Sequence, residues 1–394
     1  MRGPGPSARK WGPRAERATG VPPATEPRRG PGKKICDVVV TLVVFLCAAP
    51  AVARADGELS VRGAYYKEKS TRVAQPMLDA RFDVGEDGEL RAHMLVDSIS
   101  SASVAAGAAG TTFDEKRYEA GASYFHALDT LRLGGGARAS SEPDYKSAFA
   151  HLRGEIDLAQ RNTVLALNLA GGRDTLSNEG AQNDIVDPIE GKLWTALGSL
   201  SVTQVLTPIL VGQATYDLVY LDGFQENPYR SVSAGGMLEP ERVPETRMRH
   251  AALAGLRAFV PATRTTLAGS YRFYVDDWGV IGHTPEARVI QEIVPELDAH
   301  LRYRLHHQSD ADFFASTYPS ADPAVEPYLT DDVKLGELTT QTFGVKLDVQ
   351  ARLLGIEGQL GDARAEALFE YITQTTYFGN AVAAQIAFTF PFRY

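Results

Sequence analysis

Cysteine is scarce in this sequence and confined to one stretch near its start. The two cysteines, Cys36 and Cys47, precede the main body of the chain. From Asp56 onward the body therefore has no disulfide, no thiolate nucleophile and no cysteine ligand for a metal. The body also lacks an apolar run of the roughly 20 residues that a membrane-spanning helix needs. If it lies in a membrane it must cross as strands, since only helices and closed barrels satisfy every backbone group in lipid.

Basic residues are unevenly distributed along the chain. The formal net charge is −9, yet the first 34 residues are strongly basic. The body that follows is therefore more acidic than the chain as a whole. Such a body has no sequence-level reason to bind nucleic acid.

A short apolar segment follows the basic start of the chain. Residues 38–49 are apolar or small, Lys33 and Lys34 precede them, and the small-residue pattern Ala53-Arg54-Ala55 follows. This order is typical of a secretory signal peptide that is cleaved after Ala55. We therefore predict a signal peptide with an extended basic n-region over residues 1–55 and one domain over 56–394. An uncleaved N-terminal anchor and a start codon near Lys33 are left open.

Apolar and polar residues alternate with period two along the body. In residues 296–306 one face carries Leu297, Ala299, Leu301, Tyr303 and Leu305. The other face carries Asp298, His300, Arg302, Arg304 and His306. A helix would spread these charges around its axis, whereas a strand separates an apolar face from a charged one.

Segments with this alternation predict an all-β, transmembrane, antiparallel up-and-down β-barrel of about 16 strands, with about 14 or 18 also consistent. The predicted strands are 58–67, 72–84, 89–99, 116–126, 129–140, 144–157, 162–173, 191–204, 208–221, 246–260, 263–277, 282–294, 296–308, 335–352, 362–376 and 380–394. Many are longer than the five or six residues usual in globular sheets. Tight turns alternate with long links at 100–115, 174–190, 222–245 and 309–334. Short turns at one rim and long loops at the other are the outer-membrane layout.

The end of the chain carries aromatic residues at alternate positions. They are Phe388, Phe390, Phe392 and the terminal Tyr394. Amphipathic rings fit the membrane interface, so these residues are suited to a girdle at one rim. The pattern resembles the C-terminal signal of outer-membrane barrels, which implies recognition by the barrel assembly machinery.

Several longer stretches of sequence resemble one uncharacterised family. They are 70–76 (STRVAQP), 141–145 (SEPDY), 270–280 (SYRFYVDDWGV) and 283–286 (HTPE). The family comprises Gram-negative outer-membrane proteins known only by a domain-of-unknown-function label. The resemblance covers roughly residues 58–394 and implies an outer-membrane location and a barrel fold. It transfers no catalytic or binding residue.

Strand parity assigns a set of charged residues to the barrel interior, because an arginine or lysine facing lipid at mid-membrane costs about 2–4 kcal/mol. The predicted lumen-lining residues are Arg132, Arg138, Arg153, Glu155, Asp157, Arg257, Arg272, Arg302, Arg304, Asp348, Arg364 and Glu366. They fit either a water-filled lumen that selects solutes by charge or salt bridges that brace a closed one. Both signs are common among them, so simple anion or cation selectivity is not implied.

Candidates for other chemistry are few. Asp276 and Asp277 with His283 offer oxygen and nitrogen ligands, but their spacing matches no established metal loop and a turn role is favoured. His306 and His307 could also ligate a metal. They are neighbours in a strand and point to opposite faces, which disfavours joint binding of one ion. Ser270 with His283 is the nearest nucleophile and base pair, and the G-x-S-x-G motif is absent. The glycines 134–136 lie within a predicted strand, which favours close packing or a bend over a phosphate-binding loop.

The sequence therefore predicts an outer-membrane channel or passive transporter with a charged lumen and an unidentified solute. The alternative is a structural or partner-binding barrel with a closed lumen, in which loops 222–245 and 309–334 bind the partner. An outer-membrane hydrolase is the third hypothesis. A soluble periplasmic β protein is the alternative if the chain is not a membrane protein. We predict no metal, no cofactor and no enzymatic activity, with lipid as the surrounding partner, and leave the oligomeric state open.

Overall fold

A computed structural model of the chain describes residues 56–102, 112–177 and 190–393. The predicted signal peptide and Tyr394 lie outside these residues. The strands are β1 (Gly57–Lys67), β2 (Thr71–Val84), β3 (Gly88–Ala102), β4 (Thr112–Leu128), β5 (Leu131–Ser141), β6 (Tyr145–Leu158), β7 (Thr163–Ser177), β8 (Glu190–Thr207), β9 (Leu210–Gly223), β10 (Ser231–Ala234), β11 (Met237–Pro240), β12 (Thr246–Val260), β13 (Thr265–Asp276), β14 (Ile281–Val294), β15 (Leu297–Gln308), β16 (Leu338–Gln350), β17 (Arg364–Gln374) and β18 (Ala381–Phe392). No helix in the described ranges is long and apolar enough to cross a membrane.

Sixteen of these strands form one closed barrel. Each barrel strand pairs antiparallel with the next along the chain, and β9 pairs with β12. β18 closes the wall against β1, with Gly57 opposite Phe392 and Lys67 opposite Val382. Closure leaves no edge strand with unpaired backbone groups. The predicted all-β antiparallel barrel is thus confirmed, and the small hairpin β10–β11 lies apart from the wall.

Directly paired residues of neighbouring strands point to the same side of the sheet. The register therefore shows which residues of every barrel strand share a face. Large apolar side chains are exposed on one face, for example Leu301 (56%), Phe369 (53%) and Ile386 (55%). Charged residues of the same strands, such as Arg302 and Glu370, lie on the opposite face. Since the apolar face is the outside of a closed wall, the charged face lines the lumen.

The two rims differ in the length of their connections. The terminal rim, where β1 begins and β18 ends, has short turns at 85–87, 129–130, 159–162, 208–209, 261–264 and 295–296. The opposite rim carries the long connections 224–245 and 309–337. This agrees with the prediction of short turns at one rim and long loops at the other. The exception is the connection between β16 and β17 at the terminal rim, which is longer and contains 3-10 helix.

That segment corrects one predicted strand. The alternation at Ala351 and Leu353 extended the predicted strand to residue 352, but β16 ends at Gln350. A 3-10 helix over Ala351–Leu354 follows and stops at Gly355, whose φ is 77°. Arg352 turns back to Asp362 at 2.5 Å. Gly355 can end this helix because glycine readily adopts the left-handed backbone.

Candidate functional site

The twelve charged residues predicted to line the lumen share the inward face. Paired rows connect Arg132 with Glu155 in β5 and β6, and Asp348 with Glu366 in β16 and β17. The remaining members of the set keep the same parity in their strands. Strand register thus places these side chains on the lumen side of the wall. Their role in transport stays a prediction.

The β1–β7 wall neutralises its own arginines. Arg62 lies 2.6 Å from Asp79, Arg117 lies 2.6 Å from Asp97, and Arg132 lies 2.5 Å from Glu155. The other inward arginines of these strands also have carboxylate partners; they are Arg81, Arg91, Arg138 and Arg153. Between these charges and the terminal rim lies a cavity of about 780 Å³, lined in part by Arg91, Arg132 and Glu155.

The β12–β17 wall is less completely paired. Arg302 binds Glu286 at 2.8 Å and Glu370 at 2.6 Å, and Lys346 binds Glu366 at 2.9 Å. Five other inward arginines have no carboxylate within ion-pair distance among the residues that the structure describes. They are Arg249, Arg257, Arg272, Arg304 and Arg364. This difference between the two walls was not evident from strand parity, because parity gives the face of a side chain but not its partner.

Two long connections form a folded cap over the rim opposite the termini. We define the cap as residues 224–245, between β9 and β12, and 309–337, between β15 and β16. One apolar cluster joins Val232, Ala234, Tyr318 and Leu329, three of which are fully buried. A second joins Val243, Ala311 and Leu335 with Trp278 and Val280 of the β13–β14 turn.

A buried ion cluster joins the two halves of the cap. Arg230, with only 7% of its side chain exposed, lies 3.2 Å from each of Glu241, Asp331 and Asp332. Glu241 also accepts hydrogen bonds of 2.6 Å from the Thr330 hydroxyl and from the Asn227 backbone. Burial raises the pKa of Glu241 even though these donors and Arg230 oppose the shift. The cluster fixes the first connection against the second.

The cap reaches across the mouth of the barrel. The Tyr229 hydroxyl donates to Asp144 in the β5–β6 turn, and burial together with this contact raises the pKa of Tyr229. The next residue, Arg230, acts electrostatically on Tyr377 in the β17–β18 connection, whose pKa is raised mainly by burial. Four barrel strands, β1–β4, separate the β5–β6 and β17–β18 connections along the wall. Residues 229 and 230 therefore lie over the lumen.

Three carboxyl groups meet below this contact. Glu115, Glu142 and Asp144 place their oxygens within 4.8 Å of one another, and no other such group of three metal-binding side chains occurs in the described ranges. Arg117 lies 3.9 Å from Glu142. Burial raises the pKa of Glu142, and Arg117 opposes the shift. The cluster is explained by these neighbours and gives no reason to assign an ion.

The aspartates of the β13–β14 turn have structural roles. Asp276 accepts 2.9 and 2.5 Å hydrogen bonds from Arg247 and caps the backbone of Trp278 and Val280. Asp277 accepts from the Met248 backbone at 2.9 Å. These contacts agree with the turn role favoured by the sequence. They are not arranged around a common ion.

The histidine candidates separate on the two faces of the wall. His283 faces outward and hydrogen-bonds Tyr271 at 2.5 Å, whereas Ser270 faces the lumen opposite Glu286. Ser270 and His283 therefore cannot act as a nucleophile and base pair. His306 bonds Thr284 at 2.8 Å inside the lumen, and His307 bonds Thr339 at 2.9 Å. The two adjacent histidines cannot share an ion, as strand geometry requires.

The aromatic residues of β18 lie together on the outer face. Phe388 and Phe390 are exposed there, and the Phe392 ring lies 5.6 Å from Phe82. The fourth member of the predicted signal, Tyr394, is not among the described residues. Recognition of this strand by the assembly machinery stays a prediction.

Sequence reasoning missed the cap as a folded unit. Its hairpin β10–β11 turns at Gly235 and Gly236, which have φ of 57° and 80°. A Gly-Gly pair between short alternating segments is a hairpin signal, but it lay within a segment read as one loop. Arg230 and Glu241 gave no signal, because their partners Asp331 and Thr330 lie far along the chain.

Solved structures share the barrel fold at low sequence identity. A bacterial polysaccharide outer membrane secretin aligns with TM-score 0.51 and 8% identity, covering 86% of this chain and 98% of that chain. CdiB from Acinetobacter baumannii aligns with TM-score 0.51 and 8% identity, covering 85% and 60%. OccD3 (OpdP) from Pseudomonas aeruginosa has TM-score 0.47, 10% identity and coverage of 86% and 91%. These likenesses concern the fold alone.

No curated protein matches the sequence. Residues 109–386 match the model of a family described as "Protein of unknown function (DUF3570)". Since this match spans well over half of the chain, the protein belongs to the DUF3570 family.

Proposed function

We propose that the protein is a channel or passive transporter in the outer membrane of a Gram-negative bacterium, with a water-filled, charged lumen. One observation carries this proposal: a closed wall of sixteen strands has an apolar outside and a charged inside. Apolar residues outside suit lipid, and charged residues inside suit water. By the same layout the cap rim is extracellular and the terminal rim periplasmic.

Salt bridges along the lumen do not by themselves close it. The β8 and β9 faces between the charged walls carry small polar groups, such as Ser199, Ser201 and Thr215. Near the terminal rim the cavity of about 780 Å³ leaves room for hydrated solutes. The solute is therefore expected to be small and polar.

Planar-bilayer recording of the purified mature protein tests this function. We expect steady single-channel conductance levels that persist at low voltage. A variant with residues 226–242 replaced by a short Gly-Ser linker should conduct more, because the segment over the lumen is gone. The linker can span the gap, since Gln225 Nε2 donates to the Glu245 carbonyl at 2.8 Å. Silence of both proteins would contradict a channel.

A closed barrel that binds a partner through its cap is the second candidate. The contact of Tyr229 with Asp144 over the lumen favours it. So do two exposed apolar residues at the hairpin, Met237 (60%) and Leu238 (75%). In that case the wild-type protein would be silent and the linker variant would conduct. A hydrolase is disfavoured, because Ser270 and His283 lie on opposite faces of the wall.

A further inference from the structure

Two arginines on the β13–β15 part of the lumen wall stand beside a fully occupied carboxylate. Glu286 lies directly opposite Arg304 in the register. Its oxygens are nonetheless taken by Arg302 at 2.8 Å and Arg288 at 2.5 Å. Arg304 therefore has no carboxylate partner among the described residues. Arg272, on β13, has none either.

Arg272 and Arg304 lie on neighbouring rows of the same part of the wall. Arg272 lies opposite Thr284, and the Thr284 hydroxyl bonds Nδ1 of His306 at 2.8 Å. His306 and Arg304 share the inward face of β15 two residues apart, so one step of the register separates the two arginines. Their strands are separated only by β14 and their rows by two residues along it, so their backbones are about 12 Å apart. Two extended arginine side chains can therefore reach one small ligand between them.

The surroundings of the two arginines favour an anion. The region holds four arginines against two glutamates, and both glutamates, Glu286 and Glu370, are bound by Arg302. The hydroxyls of Ser270 and Thr342 lie on the same rows of the register as Arg304. The Arg272 guanidinium carbon lies 5.7 Å from the Tyr274 ring centre, a cation–π contact that leaves its N–H groups free.

We propose that Arg272 and Arg304 form a binding site for a small oxyanion solute, a carboxylate or a phosphate, on the lumen wall. A guanidinium donates two parallel hydrogen bonds to the oxygens of either group. This inference rests on the proposed channel function for its biological role and names its solute class. In the part of the β1–β7 wall that the structure describes, every inward arginine already has a carboxylate partner, so none is available to a solute in the same way.

Equilibrium binding in detergent tests the site without requiring a channel. The purified protein is titrated by calorimetry with succinate and, separately, with inorganic phosphate. Arg272→Gln and Arg304→Gln should each weaken binding by about tenfold or more, as expected for lost hydrogen bonds to a charged group. Arg132→Gln is the matched control, since Arg132 also faces the lumen but is held by Glu155. It should leave the affinity unchanged.

The outcomes separate the site from the channel. Arginine-dependent binding of succinate, of phosphate or of both supports the site, and the preferred probe identifies the solute group. Binding of neither, or equal weakening by Arg132→Gln, overturns the site even if the protein conducts. If the protein shows arginine-dependent binding but no conductance in bilayers, the channel function is contradicted and the binding site is still supported. If a Gln variant does not fold, Arg304→Lys replaces it and should bind more weakly than wild type.

Discussion

At the scale of single residues, several aromatic rings pack on glycines in neighbouring strands. Phe125 in β4 covers Gly134 in β5, and Phe149 in β6 covers Gly172 in β7. A Cβ on either glycine would overlap the ring. The ring takes the space that a side chain would occupy, which compensates for the poor packing of glycine in a strand. This explains how Gly134 fits into β5 without leaving a gap on the inward face of the wall.

Replacing Gly134 with alanine should therefore destabilise the barrel. The added methyl must displace the Phe125 ring, and overpacking of this kind costs about 1–3 kcal/mol. Gly255→Ala is the control, because a Cβ there would meet its neighbours at 3.5 Å, an ordinary contact. Urea unfolding in lipid vesicles, followed by tryptophan fluorescence, measures both. Equal stabilities of the two variants would show that Phe125 does not hold this position.

At the scale of elements, regular strands were predictable and the cap was not. Alternation of residues such as Leu301 and Arg302 identifies a strand and its faces, since a one-residue shift would place the charge in lipid. The end of β16 was misjudged because alternation continues to Leu353 after the backbone has left the wall. The cap depends on pairs such as Tyr229 with Asp144 and Arg230 with Asp331. No local pattern marks partners so far apart in sequence.

Acid should strengthen the packing of the cap. Burial raises the pKa of both Glu226 and Glu241. A carboxyl whose pKa is higher in the folded than in the unfolded state stabilises folding most when it is protonated. That contribution is fully present below the ordinary glutamate pKa and is lost as the pH rises through the raised value. The cap should therefore be tighter at acidic than at alkaline pH.

Hydrogen exchange of peptides from 224–245, corrected for intrinsic rates, measures this effect. We expect greater protection at the lower pH. Glu226→Gln should reduce the difference between the two conditions, because the amide carries no charge at either pH. Glu86→Gln, in an exposed turn at the terminal rim, serves as the control and should leave the difference unchanged. Stronger protection at the higher pH would contradict the assignment of these carboxyls.

At the scale of the whole molecule, the two walls of the lumen are electrostatically different. Among the described residues, each inward arginine of the β1–β7 wall has a carboxylate partner, whereas Arg272 and Arg304 of the β12–β17 wall have none. A solute below the cap would thus meet a wall whose described arginines are all paired with carboxylates on one side and guanidinium groups without carboxylate partners on the other. The sequence predicted a mixed lumen because it showed how many charges face inward. The pairing depends on register and rotamers, which alternation does not encode.

The entire assignment of inside and outside can be tested with one residue type placed on each face. Leu301 lies outward at the middle of β15, and Thr215 lies inward at the middle of β9. Leu301→Arg should cost about 2–4 kcal/mol in the bilayer, whereas Thr215→Arg, facing water, should cost much less. Urea titration of the protein refolded in vesicles compares the two. A larger loss for Thr215→Arg than for Leu301→Arg would contradict this assignment of a lipid-facing outside and a water-facing inside.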